Sequence, residues 1–126
     1  MKKELELYIH IPFCLKKCAY CDFLSGPESR EIQEEYVNAL CEEIRFCGDF
    51  SQSQVVSVFI GGGTPSVLPG EWISNILHEI RGKFDLREDA EVSIEVNPGT
   101  VNRKKIELYR QAGINRISFG CQSADN

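Results

Sequence analysis

The sequence has no apolar run able to cross a bilayer. The longest, Val55 to Ile60, is interrupted by Ser57, whereas a spanning helix needs about 20 apolar residues. Nor is there a signal-peptide core: Met1-Lys2-Lys3 is followed at once by Glu4 and Glu6, so a cytoplasmic protein is expected. Basic charge is in deficit, with 14 Lys and Arg against 19 Asp and Glu and a net charge of −5. That balance argues against a general nucleic-acid binder, which needs a basic face. The short basic cluster Arg103-Lys104-Lys105 reads as a solvated helix face rather than a phosphate site. Low-complexity tracts and linker-like boundaries are absent, and 126 residues suit one domain with a moderate core. Only two histidines occur, His10 in a strand pattern and His78 beside a helix stripe, where it is expected at the surface.

Cysteine, by contrast, is plentiful. Six in a short chain could suggest a disulfide framework, but a reducing compartment and the pattern itself disfavour it. Cys41 and Cys47 fall on the stripe of Val37, Leu40 and Ile44 and are expected to be small core residues. Cys121 alternates with apolar positions and is also read as packing. Cys14, Cys18 and Cys21 resist that explanation. Their C-x3-C-x2-C spacing offers three thiolates from one loop, where structural zinc wants four ligands and a dithiol pair two. A 4Fe–4S cluster on three cysteines keeps one iron open to a small molecule. The rival is zinc with His10 as fourth ligand, an unusual arrangement because His10 lies within a strand.

Strand and helix patterns alternate along the chain. Strands are expected over Leu5–Ile11, Val55–Ile60, Glu91–Val96 and Arg116–Cys121. Helices are expected from Glu31 to Cys47 (Ser29 as cap, Gly48 as stop), from Pro69 to Gly82, and from Arg103 to Ala112 after an Asn102 cap. Successive βα units imply parallel strands. In a closed or partly closed barrel one strand face meets the helices and the other lines the lumen. Tyr8, His10, Ser93, Glu95, Asn97, Ser118 and Gln122 fall on the lumen side or its carboxyl rim. The cysteine loop, the glycine run and Asn97-Pro98 each follow a strand, so they converge on the mouth where barrel active sites form.

Gly61-Gly62-Gly63-Thr64-Pro65 exposes backbone to a ligand, yet lacks the Lys-Ser/Thr of a P-loop and the G-x-G-x-x-G spacing of a dinucleotide site. A tight turn needs fewer glycines than this. Glu95 is a lumen carboxylate on an apolar strand and must find donors: a ligand amino or hydroxyl group, or an internal partner such as Arg116. Gln122 carries the same two readings. Tyr20 could lay its ring beside a ligand or plug the loop.

Together these residues resemble the radical S-adenosylmethionine (SAM) superfamily, in its oxygen-independent coproporphyrinogen III oxidase-like branch. The resemblance rests on Tyr8-Ile9-His10-Ile11-Pro12-Phe13-Cys14 with Cys18-Ala19-Tyr20-Cys21-Asp22-Phe23, then Gly61-Gly62-Gly63-Thr64-Pro65-Ser66. Glu95-Val96-Asn97-Pro98-Gly99-Thr100 and Asn115–Ser123 continue it in order. It implies an α/β fold, about four βα units from the amino-terminal part of a partial (β/α)6 barrel. Cys14, Cys18 and Cys21 would ligate the cluster, and SAM would chelate its open iron. Gly62, Gly63 and Thr64 would hold the methionine moiety, with Tyr8, Tyr20, Glu95 and Gln122 as further SAM contacts. Reduction by a donor such as flavodoxin or ferredoxin would then release a 5′-deoxyadenosyl radical.

Two departures shape the expectation. The oxidases carry a further cysteine two residues after the third, where this chain has Phe23 after Asp22. That version resembles the heme-chaperone (HemW) branch, so heme binding and delivery is favoured over oxidative decarboxylation of coproporphyrinogen III, and a zinc-stabilised binding module comes third. Heme or a porphyrinogen is thus an expected partner, and nucleic acid is not. Family members also continue through further strands and a carboxyl-terminal domain. Residues 1–126 are therefore expected to be an amino-terminal fragment of the core domain, without a second domain, that self-associates and binds SAM weakly when isolated.

Overall fold

The computed structural model describes residues 2–13 and 30–119. Its order is β1 (Lys3–Ile11), α1 (Arg30–Phe46), β2 (Ser53–Gly62), α2 (Gly70–Lys83), β3 (Leu86–Val96), α3 (Arg103–Gln111) and β4 (Arg116–Phe119). Short 3-10 turns, Pro65–Val67 and Pro98–Thr100, follow β2 and β3. The strands form one parallel sheet in the order β1-β2-β3-β4, as expected for consecutive βα units.

The helices pack because their buried, mostly apolar residues recur on one face. Gln33, Val37, Cys41 and Ile44 are the buried stripe of α1; Ile73, Ile76, Leu77 and Ile80 are that of α2. The chain leaves α1 through Gly48, whose φ of +124° favours glycine. Asn102 caps α3 as expected, its Oδ1 accepting the Lys105 backbone N–H at 2.8 Å. Pro69 lies just before α2, at its N-cap position, rather than inside the first turn. Helix α1 packs on α2 and α2 on α3. Together they cover a core that includes Ile9, Ile11, Val58, Ile60, Val92, Ile94 and Val96.

The register needs one irregularity. Leu5 pairs with Val55 and Glu6 with Ser57, so Val56 is an extra residue on β2. This bulge puts Val55 and Val58, three residues apart, on the same buried face. Strand β3 begins five residues before the expected Glu91. Its early part is charged, with Arg87 bridging to Asp89 at 2.6 Å and to Glu4 of β1 at 3.1 Å. Cys41 is buried as expected. Cys47 is not a core residue: it lies just past the end of α1 and is exposed, its thiol 3.2 Å from the Ile44 carbonyl.

A candidate ligand rim at the carboxyl ends of the strands

Parallel pairing aligns the lumen-facing residues in rows across the sheet. Tyr8, Phe59, Ser93 and Arg116 form one row by direct register. One step nearer the carboxyl ends, His10 pairs with Gly61 and Glu95 with Ser118, and Gly61 sits beside the Glu95 carboxylate. Tyr8 is 56% exposed and stacks on Phe59 at 5.8 Å between centroids, while its hydroxyl lies 3.4 Å from His10 Nδ1. The ring is thus held from its own side of the sheet and open on the other.

Gly61 and Gly62 have no room for side chains. A Cβ on Gly61 would fall 2.6 Å from the Phe59 ring and 3.0 Å from Glu95 Oε1. One on Gly62 would fall 2.6 Å from the Ile11 carbonyl oxygen and 2.9 Å from the His10 ring, at a φ of +120°. The absence of side chains lets Glu95 approach, and its Oε1 accepts the Gly62 N–H at 3.2 Å. The next two amides stitch the glycine run to the end of β1. Gly63 N–H donates to the Ile11 carbonyl at 2.8 Å and Thr64 N–H to the Phe13 carbonyl at 2.6 Å. Thr64 is buried as a result.

The other edge of β1 is secured from α1. Since the Ile11 carbonyl faces β2, strand alternation turns the His10 carbonyl away from it. The Tyr36 hydroxyl donates to that carbonyl at 2.5 Å, and the Tyr36 ring meets buried Phe13 edge-on at 5.5 Å. Burial, then the Glu43 carboxylate, raise the Tyr36 pKa, which keeps the phenol protonated as a donor. The residue preceding Cys14 is therefore fixed by both its carbonyl and its ring.

Behind the rim lies a polar knot. The Asn97 backbone N–H donates to Ser66 Oγ at 3.0 Å, and the Thr100 hydroxyl donates to the Asn97 carbonyl at 2.7 Å. Ser66 and Thr100 are also hydroxyl to hydroxyl. The Asn97 side chain accepts the Gly99 N–H at 2.9 Å, so it caps its own turn. The Lys105 ammonium donates to the Ser66 carbonyl at 2.7 Å and the Thr100 carbonyl at 2.9 Å. This corrects the solvated-face reading of the basic cluster for Lys105, although Arg103 and Lys104 are exposed. Burial first, then the Arg30 guanidinium, lower the Lys105 pKa, with Glu71 opposing.

Of the expected site residues, Tyr8, Gly62, Gly63, Thr64 and Glu95 converge on this rim. Cys14, Cys18, Cys21, Tyr20 and Gln122 lie outside the described residues, as do Ser29 and Cys121. Arg116 does not neutralise Glu95; it pairs with Glu91 at 2.7 Å. His78 is exposed, as expected. Phe59 on the rim, and Tyr36, Ser66 and Lys105 supporting it from behind, are residues whose parts sequence reasoning missed. Parity with Gly61 along β2 could have found Phe59. Among the described residues no three His, Cys, Asp or Glu side chains form a metal-binding group. The groups present fit an amino-acid sulfonium ligand: a lumen carboxylate to accept from its ammonium, a backbone without side chains for close approach of its methionine end, and an exposed aromatic ring.

Comparison with known proteins gives the family and supports the fold. The profile of the Radical SAM superfamily matches residues 8–126. The heme chaperone HemW of Haemophilus influenzae is 43% identical over 125 residues, covering 94% of this chain and 33% of that protein. Its counterpart in Escherichia coli is 44% identical over 121 residues, covering 94% and 32%. The chain thus spans about a third of the length of these relatives. Among solved structures, coproporphyrinogen III oxidase (HemN) from Escherichia coli, described as a radical SAM enzyme, superposes with a TM-score of 0.84 at 34% identity. That match covers 95% of this chain and 28% of the oxidase chain.

Proposed function

The chain belongs to the radical SAM superfamily, and from that premise we propose that it forms the cluster- and SAM-binding part of a heme chaperone. One observation carries the reading. The side-chain-free Gly61-Gly62 segment holds Glu95 through the Gly62 N–H, while Gly63 and Thr64 bind the backbone that leads into Cys14. The backbone proposed to hold the cofactor is thereby hydrogen-bonded to the residues that lead into the proposed cluster loop.

In this proposal Cys14, Cys18 and Cys21 ligate a 4Fe–4S cluster. Gly62, Gly63 and Thr64 hold the methionine end of SAM, Glu95 takes its ammonium, and Tyr8, Tyr20 and Gln122 complete the contacts. The pair, when bound and reduced, supplies reductive cleavage of a sulfonium carbon–sulfur bond. The chain's own residues bind and orient. The Glu95 carboxylate is directed by the Gly62 amide, and Tyr8 is braced by Phe59 with its ring exposed at the rim. Heme as cargo, a flavodoxin- or ferredoxin-type reductant as partner, and a cytoplasmic setting belong to the same proposal. Among the described residues no helix is long and apolar enough to cross a membrane.

A second reading is oxygen-independent coproporphyrinogen III oxidation, favoured by the structural match to the oxidase. Phe23, standing where the oxidases carry a further cysteine, weighs against it. The discriminating experiment compares heme titration with anaerobic coproporphyrinogen III turnover in the reconstituted full-length protein. Stoichiometric heme binding without turnover supports the chaperone; decarboxylation at a catalytic rate overturns it.

A further inference from the structure

Lys105 lies on α3, outside the barrel mouth, yet its ammonium ends between the two turns that shape the rim. Its position has local causes. The Asn102 cap holds its backbone N–H, and helical side chains lean toward their own N-terminus, here toward the β2 and β3 turns. Gly70, at the start of α2, lets α3 come close: a Cβ there would lie 2.9 Å from Leu108 and 3.5 Å from the Lys105 stem.

The knot it joins has one consistent direction of donation. The Asn97 carbonyl can only accept, so the single hydroxyl hydrogen of Thr100 is spent there. The Ser66 hydroxyl must then donate to Thr100, while Ser66 Oγ accepts the Asn97 N–H. Asn97 to Ser66 to Thr100 and back to Asn97 is a closed cycle linking the two turns. The cycle leaves the Ser66 and Thr100 carbonyls facing a common point, and the Lys105 ammonium occupies it. Ser66 is two residues after Thr64, and Asn97 two residues after Glu95. The bridge therefore sets the separation of the glycine backbone from the carboxylate.

We propose that Lys105 is a positioning residue for the sulfonium ligand: by bridging the Ser66 and Thr100 carbonyls it holds Glu95 in register with the Gly62–Thr64 backbone. The inference rests on the radical SAM reading and adds to it a residue that touches neither cluster nor ligand. It makes a charge-assisted double hydrogen bond, so its removal leaves two half-buried carbonyls unpaired.

The test uses the anaerobically reconstituted holoprotein with Lys105→Met, which keeps the stem and loses the donors. Lys104→Met, on the exposed neighbour, is the control. Three quantities are measured: iron content, SAM affinity by equilibrium titration, and coupling to Glu95→Gln in a double-mutant cycle. Lys105→Met is expected to keep its iron and weaken SAM binding about tenfold, the scale of a lost charge-assisted hydrogen bond. The loss should shrink when Glu95 is already Gln, because the lysine acts through that carboxylate. Lys104→Met should bind SAM as the parent does. Unchanged SAM affinity in Lys105→Met, a loss fully additive with Glu95→Gln, or a loss that merely follows falling iron content would each overturn the inference. A parent that assembles its cluster but does not bind SAM would instead sink the radical SAM reading itself, and this inference with it.

Discussion

Gly62→Ala is expected to damage the rim severely, whereas Gly82→Ala should be harmless or stabilising. At Gly62 the backbone φ is +120°, a conformation that costs a non-glycine residue on the order of 1–3 kcal/mol. The added Cβ would also lie 2.6 Å from the Ile11 carbonyl oxygen, a backbone atom that cannot swing aside. That carbonyl accepts the Gly63 N–H at 2.8 Å, so relieving the clash strains a bond worth roughly 1 kcal/mol net. The combined loss is about 3 kcal/mol, which in a domain of this size lowers the melting temperature by roughly 10 °C. Gly82 lies within α2 with nothing among the described residues within 4 Å of its would-be Cβ. Alanine there should gain about 0.5–1 kcal/mol from helix propensity. Thermal unfolding followed by far-UV circular dichroism reads both variants. A Gly62→Ala protein melting within about 2 °C of the parent would refute the argument that the glycine run exists for backbone approach.

Other expectations follow from the same contacts. Tyr109 is buried in α3, and among the described residues nothing pairs with its hydroxyl, whose pKa burial raises. Tyr109→Phe should raise stability by about 1 kcal/mol in chemical denaturation, and a comparable loss would reveal a partner for the hydroxyl. Arg87 beside Asp89, Arg45 beside Glu79, and the Ser51 amide on Asp49 hold those carboxyls below their usual range. Depressed folded-state values mean their contribution is full at neutral pH and fades as pH falls through the lowered values, below roughly pH 4. Melting curves from pH 7 to pH 3 should show that decline, with added salt reducing the part owed to the two exposed ion pairs; acid-independent melting would contradict it. Phe119, 56% exposed on the helix-side face of the edge strand β4, should promote self-association of the isolated chain. Sedimentation of Phe119→Glu should give a smaller species than the parent; equal sizes would exclude this edge.

What could be read from the sequence was mainly local. Asn102 before a polar-apolar stripe, glycine after α1, and alternation in Val92, Ile94 and Val96 each declare an element over a few residues, and all appear in the structure. The lumen positions of Tyr8 and Glu95 followed from period-2 parity alone. The missed features depend on distant partners. Residues Leu86–Ala90 resemble a polar loop until Arg87 is seen to reach Glu4 across β2. Lys105 is one charge among three until the fold brings the Ser66 and Thr100 carbonyls to its amine. Tyr36 shows nothing in sequence of the His10 carbonyl it satisfies 26 residues away. Cys47 shared a helical stripe with Cys41, but α1 ends one residue before it, and the stripe ends there too.

The central claim is that this chain builds a three-cysteine cluster whose open iron takes SAM. The most direct measurement is electron paramagnetic resonance of the anaerobically reconstituted, reduced full-length protein, with and without SAM, alongside iron analysis. The account predicts about four irons per chain, a reduced-cluster signal that shifts on SAM addition, and loss of both when Cys14, Cys18 or Cys21 becomes alanine. Cys41→Ala should retain both, at a packing cost on the order of 1 kcal/mol or a little more. A single zinc in place of iron, a signal indifferent to SAM, or a cluster that survives Cys18→Ala would contradict the account.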